Sequence, residues 1–184
     1  MHTLKLSLTL WLALTATTTF GADFRNTHWG MSLAEVMAQH SGQLPADRRH
    51  QRIAYDGQLG ELPVRIYYQF SADDALVEGG YEVRTESLSP EAAIEQYLTL
   101  NALLRQKYPS SETPRQVWDK TVFKADPKQW GRAVRVGQLT YEWQHTASGT
   151  HIQHSLTGNR RSLAHHLSYT ARDTAIQDDV LEQL

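Results

Sequence analysis

The sequence contains no cysteine. Disulfides, thiolate chemistry and a lipid-modified cysteine as a membrane tether are therefore all excluded. Long apolar runs are also missing. The longest, Leu6 to Ala16, has about eleven residues, whereas a membrane-spanning helix needs roughly 20. Charge of one sign is lacking too: 18 basic residues face 20 acidic ones, for a net charge of −2. The basic residues are scattered, with Arg48-Arg49 and Arg160-Arg161 as short pairs, so no phosphate-binding footprint emerges and no nucleic-acid partner is expected. Familiar catalytic signatures do not occur. There is no G-x-S-x-G, no phosphate loop, no G-x-G-x-x-G and no His-Glu-x-x-His helix. Asp73-Asp74 and Asp178-Asp179 fall in polar turn or tail segments, where a solvated surface is the default reading.

What is present begins with a leader. Lys5 precedes the apolar run, small and polar residues follow (Thr17, Thr18, Thr19), and Phe20-Gly21-Ala22 closes the segment. This charged, apolar, small-residue order is that of a secretory signal peptide. Residues 1–22 are thus expected to be removed near Ala22, delivering residues 23–184 to the periplasm or the medium as one soluble domain without a stable membrane anchor. A chain of that length can bury a core of its own. Five Trp and eight Tyr supply large rigid groups for that core or for an interface.

Local signals outline the elements. Ser32 followed by Glu35 is a capping box, with Leu33, Val36, Met37 and His40 at helical spacing and Gly42 beyond the end. The spacing predicts a helix over 32–41. Ser89-Pro90 opens a longer helix over 90–108, stopped by Pro109. Asp126-Pro127 caps a third, short one. Strands are expected where apolar residues alternate: Ile53-x-Tyr55 before an Asp56-Gly57 turn, the unbroken 62–70 series, and 76–83, where Gly79-Gly80 suggests a bulge. A second meander runs through Leu139, Tyr141 and Trp143, then Ile152 and Leu156, then Leu163, Leu167 and Tyr169. Residues 110–126 read as irregular. The tail 173–184 is polar, with Ile176, Val180 and Leu184 four apart.

The expected fold is α+β and two-layered. Antiparallel sheet from two three-stranded meanders carries helices on one face. The order suggests an internal α-β-β-β duplication, with pseudo-repeats at about 24–86 and 87–172.

The segment Phe24-Arg25-x-x-x-Trp29-Gly30-Met31-Ser32-x-x-Glu35-Val36 resembles the opening of a group of small exported bacterial proteins without assigned role. Later landmarks fall in the same order: Tyr55, Tyr68-x-Phe70, Tyr81, Tyr97, Lys107-Tyr108-Pro109, Trp130, Gly137, Trp143, Ile152 and Tyr169. In outline the helix-then-meander unit is also similar to outer-membrane assembly lipoproteins and to the β-lactamase-inhibitor-protein fold. The resemblance implies a protein-binding role and brings no catalytic motif. From the residues alone, Trp29, Gly30, Ser32 and Glu35 read as structural: Ser32 caps, Met31 staples onto Val36, Gly30 allows a tight entry and Trp29 buries against the sheet.

Histidine is the one enrichment that bears on chemistry, with five of nine residues between 145 and 166. Pairing Trp143 with Ile152, and Ile152 with Leu167, would place His154 and His165 on the apolar face, directly across from each other. Glu142 and His166 would share the opposite face, with His151 diagonal to them. Two readings stay open. Glu142, His151 and His166, or the pair His154 and His165, could hold a transition metal such as Zn²⁺; or they are ordinary polar sheet residues. His28 and His40 lie near the first helix and read as packing residues. The functional expectation is a non-enzymatic exported binding protein with a protein partner, in the manner of an inhibitor or immunity protein. No cofactor is called for. A metal-binding protein and a small-molecule or lipid carrier are the alternatives.

Overall fold

The computed structural model describes residues 23–49, 51–109 and 112–172. Residues 1–22 and 173–184, and the expectations attached to them, lie outside the described residues. The elements run α1 (Leu33–Gln39), β1 (Asp47–Arg49), β2 (Arg52–Leu59), β3 (Leu62–Phe70), β4 (Leu76–Val83), α2 (Pro90–Lys107), β5 (Arg115–Trp118), a 3₁₀ turn (Pro127–Gln129), α3 (Trp130–Arg135), β6 (Leu139–Ala147), β7 (Thr150–Gly158) and β8 (Leu163–Ala171).

The two meanders merge into one antiparallel sheet of eight strands, ordered β1-β2-β3-β4-β8-β7-β6-β5. The order reads alike from both edges. Each half opens on a helix and supplies four strands, the second inserting the 3₁₀ turn and α3 between β5 and β6, and the halves join where β4 pairs with β8, Tyr81 opposite Leu167. Each half thus has four strands, one more than the sequence suggested, and only the second carries the additional helix α3. The extra strands are the two edges, β1 and β5. Edge strands are commonly short and charged, and Asp47-Arg48-Arg49 and Arg115-Gln116-Val117-Trp118 carry no alternating apolar pattern.

The helix starts follow local chemistry. Ser32 accepts from the Glu35 amide while the Glu35 carboxylate accepts from the Ser32 amide at 2.8 Å, a complete capping box. Ser89 accepts from the Ala92 amide at 3.1 Å, with Pro90 in the first turn. Gly30 adopts φ +86 at the entry to α1 and donates its amide to Leu76 at 2.9 Å.

Three glycines depart from the turn-and-bulge reading. Gly57 lies inside β2, and the turn falls instead at Gly60, with φ +61. A Cβ on Gly57 would meet the Cδ1 of Ile66 at 2.6 Å, so the glycine makes room for a core side chain. Gly79 and Gly80 pair regularly with β3 and β8, and the register irregularity falls at Gln69/Phe70. The Phe24 ring fills the space over Gly79 on one face, and the Tyr67 ring fills that over Gly80 on the other.

One face of the sheet carries the core. Ile53, Tyr55, Val64, Ile66, Tyr68, Tyr81 and Val83 of the first half pack with Phe24 and Val36, joined by Leu100 and Leu104 of α2. Tyr141, Leu156 and Leu163 of the second half pack with Ala93, Tyr97, Ala133 and Val134. The long helix α2 thus belongs to both clusters. The short α1 buries only Val36, so the first half has less helical cover.

Candidate binding surfaces

Among the described residues, no element covers the second face of the sheet; both core clusters and all three helices lie on the opposite side. At the centre of the bare face the Arg52 guanidinium lies over the Tyr67 ring, 4.3 Å from its centroid, and pairs with Glu82. The Tyr67 hydroxyl donates to Glu78 at 2.6 Å. Burial and then the Glu78 carboxylate push the Tyr67 hydroxyl far above its ordinary pKa, so it stays a donor. His166 pairs with Glu82 across β4 and β8. Burial lowers its pKa, against the opposing pull of Glu82 and Glu78. Outward from this centre, Gln153 pairs with Ser168, and Ser155 stands between Glu142 and His166. Apart from Tyr67, which is buried beneath Arg52, these side chains are half-buried by their neighbours in the sheet.

The structure separates the metal candidates. The observed register is Trp143 with His154 and His154 with Leu167, two residues from the expected pairing. An even shift preserves the faces, so His154 and His165 still point into the core, and Glu142, His151 and His166 still point away. Glu142 lies 3.6 Å from Arg115. His151 sits in another row, between Thr146 and Thr170, with Nδ1 3.4 Å from the Thr146 hydroxyl. Among the described residues no group of three or more His, Asp or Glu side chains is arranged to hold a metal ion.

His154 and His165 are diagonal rather than directly opposite, yet their rings meet. Their Nε2 atoms are 2.8 Å apart, and the Nδ1 of His154 is 3.2 Å from the Oδ1 of Asn101 on α2. The His154 ring stacks on Tyr97 at 4.2 Å. With Asn101 as acceptor, His154 donates from Nδ1 and accepts at Nε2 from the Nε2–H of His165. The Nδ1 of His165 is then a lone pair buried without a partner. Burial lowers both pKa values, that of His165 to about 4. The pair is a neutral polar strut between α2 and the sheet.

Around α1 the histidines pack. His40 stacks on Tyr55 at 4.0 Å with Nε2 2.8 Å from the Tyr68 hydroxyl, and His28 lies 3.6 Å from Asp23. The Trp29 indole N–H donates to Thr150 at 3.0 Å, tying the N-terminal segment to β7. Trp29, Gly30, Ser32 and Glu35 are thus engaged in holding the chain entry.

The reduced cover over the first half leaves a trough on the helix face. It encloses about 600 Å³ between α2 and the β2–β3 turn, with Leu103 and Leu104 on one wall, Leu59 and Leu62 on the other, and Tyr81 and Leu167 in the floor. No sequence signal indicated this trough, nor the roles of Arg52, Tyr67, Tyr97 and Asn101. The last two face the imidazoles from a helix more than 50 residues away, and Gly80, whose missing side chain makes room for Tyr67, read only as a bulge.

No family model matches the chain, and neither the curated proteins nor the solved structures include a match. No helix among the described residues is long and apolar enough to cross a membrane.

Proposed function

We propose that this is an exported, non-enzymatic binding protein whose partner is another protein, held against the bare face of the eight-stranded sheet. The single observation that carries the reading is the segregation of helices and both core clusters to one side, which leaves a broad polar and aromatic face uncovered. Arg52, partly exposed at its centre over the buried Tyr67 ring, is of a type enriched among residues that dominate protein–protein binding. Export is supported by the order of residues 1–22, and the likeness of Phe24–Val36 to small exported bacterial proteins points the same way. An inhibitor or immunity role suits a rigid sheet face without a catalytic constellation.

The test is capture of the partner from extracts of the export compartment. The chain from residue 23 onward should recover a partner in stoichiometric amount. The Gln153→Arg variant, which puts a long cation on the bare face, should lose it at unchanged melting temperature. Leu103→Asp, on the helix face, should retain it. Equal recovery by all three would contradict the reading.

A further inference from the structure

We infer that the trough between α2 and the β2–β3 turn is a second binding site, and that its ligand is a single-chain amphiphile with a carboxylate head, such as a medium- or long-chain fatty acid. Three observations converge on that chemistry. The walls and floor are leucine and tyrosine rings and chains, which favour a flexible hydrocarbon. Gln96 and Lys107 bracket the helical wall, about 16 Å apart at 1.5 Å per residue, so the trough is elongated. Its charges sit at opposite ends. Lys107 adjoins Tyr108, whose ring lies 6.4 Å from that of Tyr169 near the end of β8. Glu61 lies in the β2–β3 turn, beyond Val64, and the Val64–Val83–His165 row places that turn toward the start of β8.

An anionic head therefore belongs at the Lys107 end, with the chain running toward Leu59 and Leu62. The Lys107 ammonium is exposed and rests 5.0 Å from the Tyr108 ring centroid, free to meet a carboxylate at the surface. Leu103 is 57% exposed within this wall, an apolar side chain that a hydrocarbon would cover. The trough lies on the face opposite the bare sheet, so it can be filled while a protein partner is held.

The experiment is calorimetric titration of the chain from residue 23 onward with laurate and with dodecanol, its uncharged counterpart. Laurate should bind one to one and about fivefold more tightly than dodecanol, the preference a single exposed charge pair gives. Lys107→Gln should remove that preference and leave dodecanol binding unchanged. Leu103→Asp should weaken both by about tenfold or more, because it puts a charge in the apolar wall. Since Leu103 and Lys107 are exposed, both variants should melt with the parent. The proposal is overturned if laurate does not bind, if laurate and dodecanol bind alike, or if binding appears only after residues 173–184 are removed, which would make the chain's own tail the occupant. Self-association abolished by Leu103→Asp without laurate binding would likewise overturn it in favour of a second copy.

Discussion

The Nε2 atoms of His154 and His165 face each other at 2.8 Å in the core, and Asn101 on α2 holds the far side of His154. Neither ring has water to solvate a charge: the two residues are 0% and 1% exposed. Charging either ring therefore carries a desolvation cost, and the pair links the helix layer to the sheet most stably while both imidazoles are neutral.

Acid should loosen this contact. Burial holds His165 at about 4 and His154 well below 6.5, so the folded state resists protons that the unfolded chain accepts. The contribution is complete above pH 6.5 and declines as pH falls from 6.5 toward 4, by about 3 kcal/mol for His165 alone. Urea unfolding at pH 7, 5 and 4 measures this. In His154→Leu/His165→Leu the fall over that range should be smaller by that amount or more, because both imidazoles are removed, while carboxylates elsewhere act alike in both proteins. Equal slopes would show that the pair does not titrate in this way.

Zinc should not rescue or stabilise the fold. The two buried Nε2 atoms are occupied with each other, and Glu142, His151 and His166 lie in different rows or carry other partners. Protein prepared without an affinity tag should contain no stoichiometric metal, and added Zn²⁺ should leave its melting temperature unchanged. Stoichiometric zinc in elemental analysis would mean that the histidines rearrange around it.

The central glycines should be far less replaceable than the glycine of β2. A Cβ at Gly80 would sit 2.6 Å from the backbone oxygen of Leu167, which cannot retreat without parting β4 from β8. Gly80→Ala should cost about 1–3 kcal/mol. Gly57→Ala meets only the end of the Ile66 side chain, which can rotate away, and should cost less than about 1 kcal/mol. Denaturant midpoints of the two variants give the comparison directly.

The chain entry rests on one cap and one indole. Ser32→Ala removes the acceptor for the Glu35 amide and should cost about 1 kcal/mol. Trp29→Phe deletes the N–H donated to Thr150 and should cost a similar amount. Thermal melts of both, and of the double variant, would show whether these losses add.

What the sequence revealed follows the range of each physical signal. Caps at Ser32 and Ser89 and the alternating runs of the six inner strands depend on neighbours a few residues away, and all could be read. Facing was legible as well, because an error of two residues in register returns every side chain to the same side. β1 and β5 escaped because edge strands need not alternate. Asp56-Gly57 mimicked a turn, although Gly57 serves Ile66 across the sheet. The partnership of His154 with Asn101 spans 53 residues and has no local signature. Nor does the trough, which arises from the difference in length between α1 and α2.

Crosslinking reads directly which face meets the partner. A photo-crosslinking residue placed at Gln153 or Ser168 samples the bare face, and one placed at Leu98 or Leu103 samples the helix face. Irradiated in the export compartment, the first two positions should give the same protein adduct and the last two none. Adducts confined to Leu98 and Leu103 would place the partner on the helices and contradict the claim.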